Sequence, residues 1–154
     1  MTLKPQDAGF EARVRRVFDR QGLMEAFGVA LHEVAPGLCT LRVDYHGSRA
    51  KLQSTIQGAL LGAMADTAAS LAVLTLVPKG HGVVAAEYKV NFLEPAVGDH
   101  VEARAKVRRY GRTLSLVEVD TVSVADADGS ETLCAVSTHT IMRLEPPKEE
   151  AAKT

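Results

Sequence analysis

Residues 56–77, IQGALLGAMADTAASLAVLTLV, form an apolar run long enough to cross a bilayer, interrupted by one formal charge at Asp66. That charge constrains what the chain can fold into. At the middle of an isolated helix in lipid it would cost roughly 2.5 to 3.5 kcal/mol, and the run is rich in Ala rather than Leu. With no basic flank and no second span, it predicts a helix buried inside a folded domain and no membrane contact. A helix that is apolar nearly all round cannot rest on a sheet with one side in water. Either the sheet curls about it or a second subunit covers it.

The flanking sequence supplies that sheet. Phe10, Val14, Val17, Phe18 and Met24 recur at helical spacing among Arg13, Arg15, Arg16 and Arg20, which predicts an amphipathic helix over 10–26. Two strand-like runs, 27–34 and 38–45, surround Ala35-Pro36-Gly37, a hairpin composition, and 46–55 reads as a polar connector. After the long helix come four strand-length stretches. In the first, Val84, Ala86, Tyr88, Val90 and Phe92 are predicted to share one face and Glu87, Lys89 and Asn91 the other. In the second, Val101, Ala103, Ala105 and Val107 alternate with charges, and the runs 113–124 and 133–142 follow after short turns. Connections this short forbid parallel crossovers, so the sheet is antiparallel.

Composition excludes several classes. Eighteen basic against nineteen acidic residues leave a charge of −1, so no basic field recruits nucleic acid. Cys39 and Cys134 lack metal-ligand spacing and read as reduced structural thiols, and no metal motif accompanies them. The first residues, MTLKPQDAGFEARVRR, are charged where a signal peptide needs an apolar stretch, so a cytoplasmic address is expected. No Gly-rich phosphate loop or nucleophile elbow is present.

Two stretches carry a family resemblance. Gln57-Gly58-Ala59 followed by Ala65-Asp66-Thr67-Ala68, and then Phe92-Leu93-Glu94-Pro95-Ala96 with Gly98-Asp99 and Gly111-Arg112-Thr113, resemble in order and spacing the motifs of hotdog-fold thioesterases of the phenylacetate-degradation type. The resemblance implies an α+β hotdog fold, a curled antiparallel sheet wrapped around one long central helix, with an N-terminal helix in front. On that reading 1–26 is an N-terminal extension with its amphipathic helix, 27–143 a single hotdog domain and 144–154 a disordered tail. It also implies hydrolysis of acyl-CoA thioesters without metal or redox cofactor, CoA being part of the substrate.

The residues give the resemblance chemical content. Asp66 is a carboxylate in an apolar helix, either a group poised for chemistry, activating water or itself attacking the carbonyl, or a side chain satisfied at a subunit seam. Gly58 lies near the helix N-terminus, where backbone N–H groups lack intrahelical partners and favour negative charge. It reads as an oxyanion site or as a glycine allowing close packing; family membership implies that its amide polarises the thioester carbonyl. Ser70, four residues after Asp66, shares its face and could hold water, while Thr67 is expected to bond a preceding backbone carbonyl. Arg108, Arg109 and Arg112 surround a turn, either as a solvated hairpin tip or as partners for the phosphates of CoA.

Gly58 and Asp66 are separated by about 12 Å along one helix and about 80° around it, so they cannot both touch one carbonyl. A reaction needing both must combine two chains, which predicts a homodimer with helices running past each other; the family resemblance implies the same arrangement, often as a dimer of dimers. Two departures touch the site. Gln57 stands where the family usually has His, and Lys51 where it often has Asn or Gln; a connector shifted by two residues would put Gln53 in that place. They motivate a rival reading, a hotdog protein that binds acyl-CoA without turnover; a purely structural oligomer is a third. The histidines lie off the central helix, which argues against dehydration, and His81 and His139 read as structural.

Overall fold

The computed structural model describes residues 3–46 and 48–146. In chain order the elements are the helices α1 (Phe10–Phe18) and α2 (Gly22–Ala26) and the strands β1 (Val29–Ala35) and β2 (Leu38–Asp44). A small ribbon of β3 (Lys51–Leu52) and β4 (Thr55–Ile56) leads into the long helix α3 (Gly58–Leu74). The strands β5 (Gly82–Phe92), β6 (His100–Arg109), β7 (Leu114–Val124) and β8 (Glu131–Leu144) complete the fold. Six strands form one antiparallel sheet in the order β1-β2-β6-β7-β8-β5, and α3 packs against β2, β5, β6, β7 and β8. This is the expected α+β architecture of one central helix enclosed by an antiparallel sheet. Leu144, assigned to the tail, closes β8; of the expected tail, 147–154 lies outside the described residues.

Small side chains set how close helix and sheet come. Ala65, Ala68, Ala69 and Ala72 of α3 are buried, as are Leu41 and Val43 of β2, Val101, Ala103, Ala105 and Val107 of β6, and Val117 and Val119 of β7. The core is therefore aliphatic, and the alternation on β6 is the one the sequence predicts. On β5 the prediction is corrected. A bulge between Ala85 and Glu87 inserts one residue and shifts the alternation. Val83 and Ala85, not Val84 and Ala86, join Tyr88, Val90 and Phe92 on the helix side, opposite Arg143, Ile141, His139, Ser137 and Ala135 of β8.

The connector 46–55 also holds more order than expected, because Gln53 and Ser54 adopt φ of 49° and 67° and turn β3 back into β4. The single helix expected over 10–26 is broken into two. Val14 and Met24 are both buried, yet on one straight helix they would lie about 80° apart. The non-helical backbone at Gln21 (φ −90°, ψ 88°) lets each reach the core.

Helix α1 is fastened to the far end of α3 by one side chain. The Arg13 guanidinium donates to the carbonyls of Leu74, Val77 and Pro78, each at 2.8 Å, with Asp7 at 3.4 Å. It thus satisfies carbonyls that a helix C-terminus leaves without partners and places positive charge at the negative end of the helix dipole. Replacing Arg13 with Met keeps most of the aliphatic stem but strands those carbonyls. The expected cost is about 2 to 3 kcal/mol, read as a lower denaturant midpoint at unchanged m value.

Candidate active site

The start of α3 is pinned by backbone bonds on both sides, Ile56 N–H to Ala96 O at 3.1 Å and Gln57 N–H to Ala50 O at 2.8 Å. Gln57, the N-cap residue, is extended (φ −63°, ψ 137°) and makes no side-chain cap hydrogen bond, so no cap side chain competes for the first amides of the helix. Gly58 and Leu61 of this first turn line a groove of about 380 Å³ with Phe92, Leu93, Pro95 and neighbouring residues. A Cβ at Gly58 would come within 3.0 Å of the Phe92 ring. The close-packing reading of this glycine is therefore realised, and it coexists with an accessible helix N-terminus.

Asp66 lies at the middle of α3. Ala59, Ala63, Asp66 and Ser70 follow one another at helical spacing and, with Thr67 beside them, form the strip of α3 that the chain's own sheet leaves incompletely covered. The strip lies where the sheet ends in β5, the edge strand at that side. Tyr88 and Phe92 of that edge remain 48% and 54% exposed although both face the helix.

The side chain that pairs in charge type with Asp66 is one that reads as structural in the sequence. His139 Nδ1 on β8 stands 3.7 Å from Asp66 Oδ1, and the other ring nitrogen, Nε2, is 2.8 Å from Ser137 Oγ. The Tyr88 ring stacks on the imidazole, with centroids 5.1 Å apart and planes inclined by 13°. The contact joins residues 73 positions apart (139 − 66), and no local pattern signals it.

The other expected site residues do not converge within one chain. Helix α3 runs unbroken through Gly58 and Asp66, so they keep their separation of about 12 Å. Arg108 is taken up by an ion pair with Glu118 across β6 and β7. Arg109 and Arg112 line an open groove of about 480 Å³ with Leu114, Leu116 and Thr140. That hairpin sits at the opposite end of α3 from Gly58, since Tyr110 Oη reaches Leu76 O beyond the helix C-terminus at 3.3 Å. Lys51 places its ammonium 4.6 Å from the centroid of the Tyr45 ring, and Gln53 occupies the exposed ribbon turn. Thr67 bonds Gln21 Oε1 at 3.3 Å, where a preceding backbone carbonyl was expected, because the break before α2 brings Gln21 beside α3.

Four similarities to known proteins bear on this arrangement. A family model described as the thioesterase superfamily matches residues 53–129. A Halobacterium salinarum protein that carries an esterase name is 32% identical over 131 residues, 81% of this chain and 86% of its own length. A thioesterase family protein from Silicibacter pomeroyi superposes with a TM-score of 0.82 at 30% identity, covering 89% of this chain and 99% of that one. A variant of the phenylacetic acid degradation protein PaaI from Thermus thermophilus gives a TM-score of 0.66 at 31% identity, over 80% of this chain and all (100%) of that one.

Neither cysteine belongs to the site chemistry. Burial, with a smaller contribution from Glu33, pushes the Cys39 thiol up to about 12, and Cys134 is buried among Ser123, Thr132 and Pro95. A thiol that keeps its proton is a poor nucleophile. A disulfide dye at pH 8 is expected to find no reactive thiol in the folded chain and 2 after denaturation. The folded Cys39 holds its proton above the ordinary value of 9.0, where the unfolded thiol gives it up. Its contribution to stability is therefore complete below that value and lost as pH rises toward 12. Titration of thiols against pH, alongside denaturant midpoints, checks both statements.

Proposed function

The chain belongs to the thioesterase superfamily and has its hotdog fold, and from that premise we propose that it hydrolyses acyl-CoA thioesters to free acid and CoA. The observation that carries the reading is a carboxylate, 36% exposed, on the one uncovered strip of an otherwise enclosed helix. Beside that strip runs an unpaired strand edge, and at the helix N-terminus lie amides with no side-chain cap.

A second copy completes the site. Long edge strands with unpaired backbone groups invite pairing, and β5 against β5 about a two-fold axis covers Tyr88, Phe92 and the α3 strip together. Two antiparallel copies of α3 then pass each other, which brings Gly58 of one chain toward Asp66 of the other. Asp66 takes a proton from water, and the water oxygen bonds to the thioester carbon while the Gly58 amide of the partner chain stabilises the oxyanion. The carbon–sulfur bond breaks as the tetrahedral intermediate collapses, and the proton held by Asp66 passes to the departing thiolate. Gln57, the residue just before Gly58, carries an amide able to donate a hydrogen bond to the acyl oxygen but unable to exchange a proton near neutral pH. In this reading Ser70, one turn after Asp66, holds the water. Arg109 and Arg112 are the pair available for the phosphates of CoA, since Arg108 already has Glu118. The scheme requires no metal or redox cofactor.

One observation favours the rival reading of acyl-CoA binding without turnover. Lys51 is engaged with Tyr45 and Gln53 sits in the ribbon turn, so neither lines the groove at Gly58. Turnover decides between the two. With a panel of acyl-CoAs and a thiol-trapping dye, Asp66→Asn is expected to lower kcat by about 10²- to 10⁴-fold. Mixed dimers of Asp66→Asn with Gly58→Val contain one intact site and should regain up to about a quarter of native activity after co-refolding. No turnover by the native protein together with CoA-ester binding makes it a binding protein; turnover by a monomer overturns the shared site.

A further inference from the structure

The contact between Asp66 and His139 has features that plain packing does not require. Asp66 Oδ1 and His139 Nδ1 are both buried, and neither has a hydrogen-bond partner among the described residues. An unsatisfied buried polar atom costs about 1 to 3 kcal/mol, so two of them in one place call for an account. They face each other at 3.7 Å, and an approach of about 0.8 Å would turn the contact into a charge-assisted hydrogen bond that satisfies both.

The rest of the imidazole is held for that purpose. Ser137 and His139 are two residues apart on β8 and so point to the same inner face. A serine hydroxyl can donate to Nε2 at 2.8 Å, which leaves the ring proton on Nδ1, the nitrogen aimed at Asp66. Tyr88 stacks on one side of the ring. A neutral imidazole with its proton on Nδ1 gives the carboxylate a donor without burying a second charge, which this enclosed position would penalise.

We propose that His139 is a positioning residue: through Nδ1–H it holds Oδ1 of Asp66, with Ser137 fixing the tautomer. Oδ2, on the exposed edge of the carboxylate, is then the oxygen presented to the substrate water. The role deepens the hydrolytic reading above and rests on it for its catalytic meaning, whereas the hydrogen bond itself does not depend on turnover. Ser137 is itself buried and serves as the end of this chain of hydrogen bonds.

Two readouts test it. In the native protein, two-bond proton–nitrogen spectra of labelled histidine, assigned by loss of the signal in His139→Asn, should show the proton on Nδ1. Asp66→Ala should shift that resonance. In kinetics, His139→Phe keeps a stacking ring without a donor and should lower kcat by about 10- to 100-fold with KM changed less than about threefold. His139→Asn places an amide nitrogen near the Nδ1 position and should recover most of that loss, and Ser137→Ala should cost only a few-fold. A proton found on Nε2, or a folded His139→Phe variant with native kcat, overturns the proposal, as does a Ser137→Ala variant as inactive as Asp66→Asn, which would make the serine a nucleophile. Should His139→Phe fail to fold, the tautomer decides alone. Absence of turnover in a protein with the Nδ1–H tautomer bonded to Asp66 sinks the hydrolytic reading and leaves the pairing standing.

Discussion

An apolar helix with no polar face has to be enclosed, and the rest of this structure follows from how far one chain can enclose it. The sheet covers α3 from β2, β6, β7 and β8 and reaches its limit at β5. Beyond that edge the strip of Ala59, Ala63, Asp66 and Ser70, with Thr67 beside it, stays partly open. The residues there are small or polar, so the opening costs little hydrophobic free energy, and a second helix can approach closely. Large side chains at these positions would have produced a patch unstable in water and too bulky for close pairing.

The two ends of α3 are treated in opposite ways. At the C-terminus, Arg13 reaches over from α1 and satisfies carbonyls with charge of the right sign for the dipole. At the N-terminus no side chain does the corresponding work, because the N-cap residue makes no cap bond. A cap by Ser, Thr, Asp or Asn would have stabilised the helix by about 1 kcal/mol. Leaving it out keeps a site of positive potential accessible, and the backbone bonds from Ile56 and Gln57 hold the helix start in place. Closure at one end and availability at the other make the helix both a structural axis and an anion-attracting group.

Much of this was legible in the chain. Asp66 inside an apolar run announces an enclosed helix, the charged alternation on 101–108 identifies an inner face, and the motif order at Gln57, Asp66, Phe92 and Gly111 points to the family. What failed to show depends on contacts between distant segments. The bulge at Ala86 reverses the facing of Val83 to Ala86 and has no compositional mark, since all these residues are small or apolar. The break between α1 and α2 arises because Val14 and Met24 must both be buried, a demand set by the sheet. Arg108 looks equivalent to Arg109 and Arg112 until Glu118 is brought opposite it.

His139 is the most instructive of these. In the sequence it is one polar residue in Ser137-Thr138-His139-Thr140, a stretch whose alternation would suit an ordinary strand. Burial changes its meaning. An imidazole sealed from water needs a partner at each nitrogen, and the fold supplies a serine from its own strand for Nε2 and the lone acid of α3 for Nδ1. The acid carries the same obligation, since its buried oxygen needs a donor. Two residues that separately look like liabilities are thus set against each other, 3.7 Å apart, only when β8 lies under the middle of α3. A shift of one helical turn would separate the pair by about 5.4 Å, so the facing of Asp66 and His139 belongs to this register of helix on sheet alone.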